Sequence, residues 1–122
     1  MSVENLIIIG IKMKRKKVPL KDVIKGHEWT FYAQTSNTYS RNHGSDSHAI
    51  TYTHDREIYF NIDSLAPDYV RHEIFHAYVA SSSINSADLD KDQMEELCAE
   101  LYGEHGPEME LLVNKILNYY LR

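Results

Sequence analysis

The hydrophobic pattern divides the chain into a β-like first half and a helical second half. After the apolar run Leu6-Ile7-Ile8-Ile9, the residues Ile11 and Met13 alternate with Lys12, Lys14 and Lys16. That period of two predicts a strand over residues 6–18, ended by Pro19. Residues 21–25 show no clear period and suit a turn of helix closed by Gly26. Trp29-Thr30-Phe31-Tyr32-Ala33, aromatic and β-branched, predicts a second strand. Residues 35–47 turn to Ser, Asn, Gly and Asp and read as a surface loop, a natural place for substrate contacts. Residues 49–53 and 57–61 are two further β-rich runs, joined through His54-Asp55-Arg56 as a hairpin.

From there the period lengthens to 3.6. Val70, Ile74, Ala77 and Tyr78 mark a helix over about 65–82, with Asp63-Ser64 to cap it and Pro67 in its first turn. A polar connection over 81–88 follows. Asp90 and Gln93 then form a capping box for a helix carrying Met94, Leu97, Cys98, Leu101 and Tyr102, expected to stop in the stretch 103–106 between Gly103 and Gly106. Pro107 opens a last helix with Met109, Leu112, Val113, Ile116, Leu117 and Tyr120 on one stripe. The fold class is therefore α+β: one domain over 1–122, with a small, mostly antiparallel sheet packed against three helices.

Composition narrows the setting. With 43% hydrophobic and 25% charged residues, 122 residues make an ordinary globular chain with a single core. Cys98 is the sole cysteine and has no internal partner for a disulfide, which suits a reducing compartment. The run Leu6–Ile9 is far too short to span a bilayer and lacks a basic leader, so the expected location is cytoplasmic, without a membrane partner. Residues 1–26 carry seven Lys/Arg against two acids, and residues 84–110 carry nine acids against Lys91. Lysines alternating with apolar residues are the ordinary protection of an exposed edge strand, so no nucleic-acid partner is expected.

One stretch carries chemistry. Arg71-His72-Glu73-Ile74-Phe75-His76 contains H-E-x-x-H, and on a helix its spacing sets His72 and His76 on one face a turn apart. Two neutral imidazoles so placed can hold one Zn²⁺, with Glu73 as general base for a zinc-activated water. The plain alternative is two ordinary histidines on a core helix. His43, His48 and His54 stand singly in loops or turns and read as solvated surface residues.

A catalytic zinc needs a third protein ligand. The metzincin extension fails, because Val79 and Ser82 stand where a Gly and a His or Asp are required. The acidic helix offers Glu96, which points away from the apolar stripe with Ala99 and Glu100, and Glu95, at the edge between faces. Glu96 is the preferred ligand; Glu95 and the more remote Asp88 and His105 remain open. Without the histidine motif, Glu95, Glu96 and Glu100 would read simply as a solvated acidic face.

The pair formed by His72-Glu73-Ile74-Phe75-His76 and, after nineteen intervening residues, Glu96-Leu97-Cys98-Ala99-Glu100-Leu101-Tyr102-Gly103 resembles the gluzincin pattern of zinc peptidases. The short length and the preceding hairpin resemble the minimal gluzincins often encoded by phages and mobile elements, and the related ImmA/IrrE-like domains. The resemblance spans residues 49–106. It implies a zincin-like fold, with His72, His76 and Glu96 as zinc ligands and Glu73 as general base. It also implies Glu100 as an acid that orients a ligating histidine. Glu100 stands where the family more often has Asp, and no downstream His or Tyr for the oxyanion matches clearly; Tyr78, Tyr102 and His105 are the candidates for that donor. The expected activity is hydrolysis of a peptide or protein substrate. The alternative is a zincin fold retained as an inactive zinc-binding interaction module.

Overall fold

The computed structural model describes residues 18–82 and 88–121. The strand expected over 6–18 lies outside them, except for Val18. The described elements are β1 (Leu20–Ile24), β2 (His27–Gln34), α1 (Ser36–His43), β3 (Ala49–Tyr52), β4 (Glu57–Asn61), a 3₁₀ turn (Ile62–Ser64), α2 (Pro67–Ser81) and α3 (Lys91–Leu121).

Residues 21–24 belong to strand β1 rather than to a turn of helix, and Lys25 opens the turn that follows. Leu20, Asp22 and Ile24 alternate with the exposed Lys21 and Val23. The two-residue link Lys25-Gly26 has positive φ at both positions (50° and 83°), the twist that lets β1 fold back tightly on β2. Residues 36–43 are helical rather than a loop. Thr35 caps α1 by accepting from the Thr38 N–H, and the buried Tyr39 fastens it to the sheet.

The sheet order is β1-β2-β4-β3, with β1–β2 and β3–β4 antiparallel and the central β2–β4 pair parallel. The sheet is thus mixed: two of its three pairings are antiparallel, as expected of a mostly antiparallel sheet, and one is parallel. A parallel pair needs a crossover, and the unforeseen α1 together with β3 supplies it. The 49–52 and 57–61 strands form the expected hairpin, which leaves β3 at an edge among the described residues.

Alternation then sorts the side chains. Trp29, Phe31, Ile58 and Phe60 face inward, where Val70, Ile74 and Ala77 of α2 and Met109, Val113 and Ile116 of α3 complete one core. Two of its large aromatic side chains have their polar atoms paired. The Trp29 indole N–H donates to Ser81 Oγ at 2.8 Å, and Tyr120 donates to the Phe31 carbonyl while accepting from the Leu20 N–H. Burial pushes the Tyr120 hydroxyl up to about 12, which keeps it a donor.

The helix expected to stop near residues 103–106 instead runs unbroken from Lys91 to Leu121 with Pro107 inside it. Leu97, Leu101, His105, Met109, Leu112 and Ile116 continue one stripe at three- and four-residue steps, so packing holds the helix across the proline. Gly106 before the proline lacks the Cβ that would clash with its ring. The capping box forms as expected: Asp90 N–H donates to Gln93 Oε1 at 2.9 Å, and Gln93 N–H to Asp90 Oδ1 at 2.8 Å. At α2 the cap differs, since Ala66 occupies the position without a side-chain bond. Asp63 lies in the 3₁₀ turn, and its carboxylate accepts from the Ser36 hydroxyl and N–H instead. No helix among the described residues is long and apolar enough to cross a membrane.

Candidate metal centre

Helix α2 has three working faces. Val70, Ile74 and Ala77 enter the core; Arg71, Phe75 and Tyr78 meet α3; and Tyr69, His72, Glu73 and His76 turn toward β3 and solvent. Ile74 and Ala77 thus anchor the rotation of the helix that aims its two histidines. His72 and His76 are exposed, their rings nearly perpendicular at 79°, with the two Nε2 atoms 3.1 Å apart.

Between them in sequence, Glu73 is only 8% exposed. Its Oε1 accepts from the Thr51 hydroxyl at 2.7 Å, and its Oε2 lies 3.8 Å from His72 Nε2. Thr51 belongs to the edge strand β3, so the carboxylate is gripped between helix and sheet. The three side chains and Ala49, Ile50, Thr51 and Thr53 line a cleft of about 310 Å³.

The donor set fits half of a zinc site. Two nitrogens on one tetrahedral zinc, each at roughly 2.0–2.1 Å, stand about 3.3–3.4 Å apart. The 3.1 Å spacing found here is close to that. Without an ion, the same approach is a hydrogen bond from one neutral ring to the other.

The remaining predicted groups lie elsewhere. Glu95, Glu96 and Glu100 are exposed on the first half of α3, and Asp88 is exposed ahead of it. Among the described residues, no group of three or more His, Cys, Asp or Glu is assembled to hold a metal, so Glu96 is not joined to the histidine pair. The helices instead meet on the neighbouring face of α2. Arg71 donates to both Glu110 oxygens at 2.8 and 2.9 Å, Phe75 stacks on Tyr102 at 5.8 Å, and Tyr78 meets His105 at 5.4 Å.

That arrangement also places the expected oxyanion donors. Tyr78 is buried, and desolvation with the nearby Glu108 pushes its hydroxyl up. His105 bonds Glu108 as well. Tyr78, Tyr102 and His105 therefore all lie on the α3 side of α2, away from the cleft.

Three residues on the cleft side were not foreseen as site groups. Thr51 orients Glu73. Tyr69, one turn before His72, stacks on His48 with ring centroids 4.4 Å apart. No signal in the sequence links residue 48 to residue 69, because the loop's return to the helix is a tertiary event. His43 is not a solvated histidine either. It lies half-buried between the Tyr52 hydroxyl (2.7 Å) and Gln34 Oε1 (3.1 Å), and burial holds its pKa below the ordinary value. His54 is exposed, as expected.

No family model, curated protein or solved structure matches this chain.

Proposed function

We propose that this protein is a zinc-dependent peptidase of minimal gluzincin type, with His72 and His76 holding the metal and Glu73 as general base. The observation that carries this is the convergence of the two Nε2 atoms at 3.1 Å beside a carboxylate that the Thr51 hydroxyl holds in the same cleft. Glu96 is the proposed third ligand, with Glu95 as its rival; either would come from α3.

His72 and His76 would hold a zinc ion there, which would supply Lewis acidity toward a peptide carbonyl and toward water. Glu73 takes the water proton on the oxygen not engaged by Thr51 and hands it to the departing amine, while the Thr51 O–H fixes the carboxylate's orientation. Its burial excludes competing solvent from one side of the carboxylate. Among the described residues β3 is an edge strand, whose backbone N–H and C=O groups along the cleft would let an extended peptide pair as an added strand. These features support a peptide substrate over a compact small molecule.

The test combines metal content and turnover. Wild type purified with zinc binds one equivalent and cleaves unfolded protein, and a chelator stops the cleavage. Glu73→Gln keeps the zinc and loses cleavage. Of Glu96→Gln and Glu95→Gln, only the former releases metal. Zinc bound stoichiometrically without cleavage of any peptide moves the protein to the inactive interaction module; absence of zinc ends both readings.

A further inference from the structure

We propose that the stacked rings of His48 and Tyr69, just beyond the Ala49 end of the cleft, form a substrate subsite, a flat surface that selects an apolar or aromatic side chain. This rests on the peptidase reading of the cleft, and it adds the sequence preference that the metal and Glu73 do not supply.

Tyr69 lies three residues before His72 and four before Glu73, so its ring projects from the same side of α2 toward the N-terminal end of the helix. His48 directly precedes Ala49, the first β3 residue that lines the cleft. The stack therefore bridges strand and helix at the Ala49 end. Both partners are anchored: the His48 carbonyl accepts from the Asn61 N–H at 3.0 Å, and Tyr69 sits in the first turn of α2. The rings lie 4.4 Å apart at 23°, near parallel.

Core packing does not account for the pair. Tyr69 is 40% exposed and His48 is exposed, and neither belongs to the apolar core. A chain extended along β3 passes Glu73 at Thr51 and, two residues or roughly 6.6 Å farther on, reaches Ala49 and the stack. The side chain presented there meets an aromatic surface. Aromatic and branched apolar side chains gain most on such a surface, while charged ones lose hydration without a partner.

A set of short blocked peptides, varied one position at a time, tests this in two ways: as kcat/KM with the zinc-loaded wild type, and as binding to the Glu73→Gln protein. The expected result is a preference of about tenfold for Phe or Leu over Asp at one position within two residues of the cleaved bond. Tyr69→Ala and His48→Ala each flatten that preference and leave the other positions as they were. Tyr69→Phe, which keeps the ring, keeps the preference. Circular dichroism establishes that each variant is folded.

A preference that survives in folded Tyr69→Ala overturns the proposal. So does a Tyr69→Phe protein with lower kcat and an unchanged preference in Tyr69→Ala, since that assigns the hydroxyl rather than the ring. Peptides bound with this preference but never cleaved sink the peptidase reading while the subsite stands. A Glu73→Gln protein that binds none of the peptides overturns the subsite, whatever its metal content.

Discussion

Two faces of one helix do different work. Toward α3, α2 presents Arg71, Phe75 and Tyr78, and each meets a partner: a carboxylate, a ring, and the imidazole of His105, itself bonded to Glu108. Toward β3 it presents Tyr69, His72, Glu73 and His76, where two imidazoles converge in the open and a buried carboxylate has one engaged oxygen. The first face gathers groups that satisfy one another. The second gathers two exposed imidazoles, bonded to each other, beside a carboxylate held by Thr51.

Substitutions on the two faces should therefore separate cleanly. The largest effect belongs to Glu73→Gln, expected to cut turnover by about 10²–10⁴-fold while leaving zinc content unchanged; turnover kept within a few-fold refutes the role given to Glu73. Next comes His72→Ala, expected to weaken zinc more than about 100-fold in a competition against a chromophoric chelator. Because His72 is exposed, the metal-free protein should change in denaturant stability by no more than about 0.5 kcal/mol. A large loss there would show the pair to be structural.

On the packed side, Ile74→Ala empties a fully buried position next to the motif and should cost roughly 2–5 kcal/mol in urea unfolding. The smallest effect belongs to the α3-facing ion pair. The Arg71 guanidinium, bonded to Glu110, holds the Glu110 carboxyl below its usual value. A lowered folded-state pKa contributes stability above the unfolded value of 4.5, and that contribution is lost as pH falls through the folded value. Glu110→Gln should thus cost at most about 1 kcal/mol at neutral pH, since both side chains are part-exposed, and the two proteins should converge in acid. A difference that persists at low pH would assign the effect to packing instead.

How far these features could be read from the residues depended on their range. The alternation of 57–61, the H-E-x-x-H spacing and the Asp90–Gln93 box are all set by neighbours within one turn or one hairpin, and each element stands where it was expected. The misreadings share a cause. Residues 36–43 look like a loop by composition, yet one capping threonine and one buried tyrosine suffice to make them helical once the sheet is present. Gly103, Gly106 and Pro107 look like a break, yet the apolar stripe on both sides is clamped to the same core and carries α3 through. Local propensity is worth about 1 kcal/mol for glycine and about 3 for proline, and packing of a long amphipathic face outweighs it.

By itself the sequence determined the α+β class, the helix that aligns His72 with His76, and the chemistry available to them, because helical spacing is a local rule. Only the tertiary structure decided that β2 and β4 pair in parallel and that Thr51 takes hold of Glu73. It also carried Tyr78, Tyr102 and His105 to the far side of the helix, while His48 returned to Tyr69. Those meetings depend on how faces rotate into a shared core, a balance of burial summed over residues distant in the chain, which no short stretch contains.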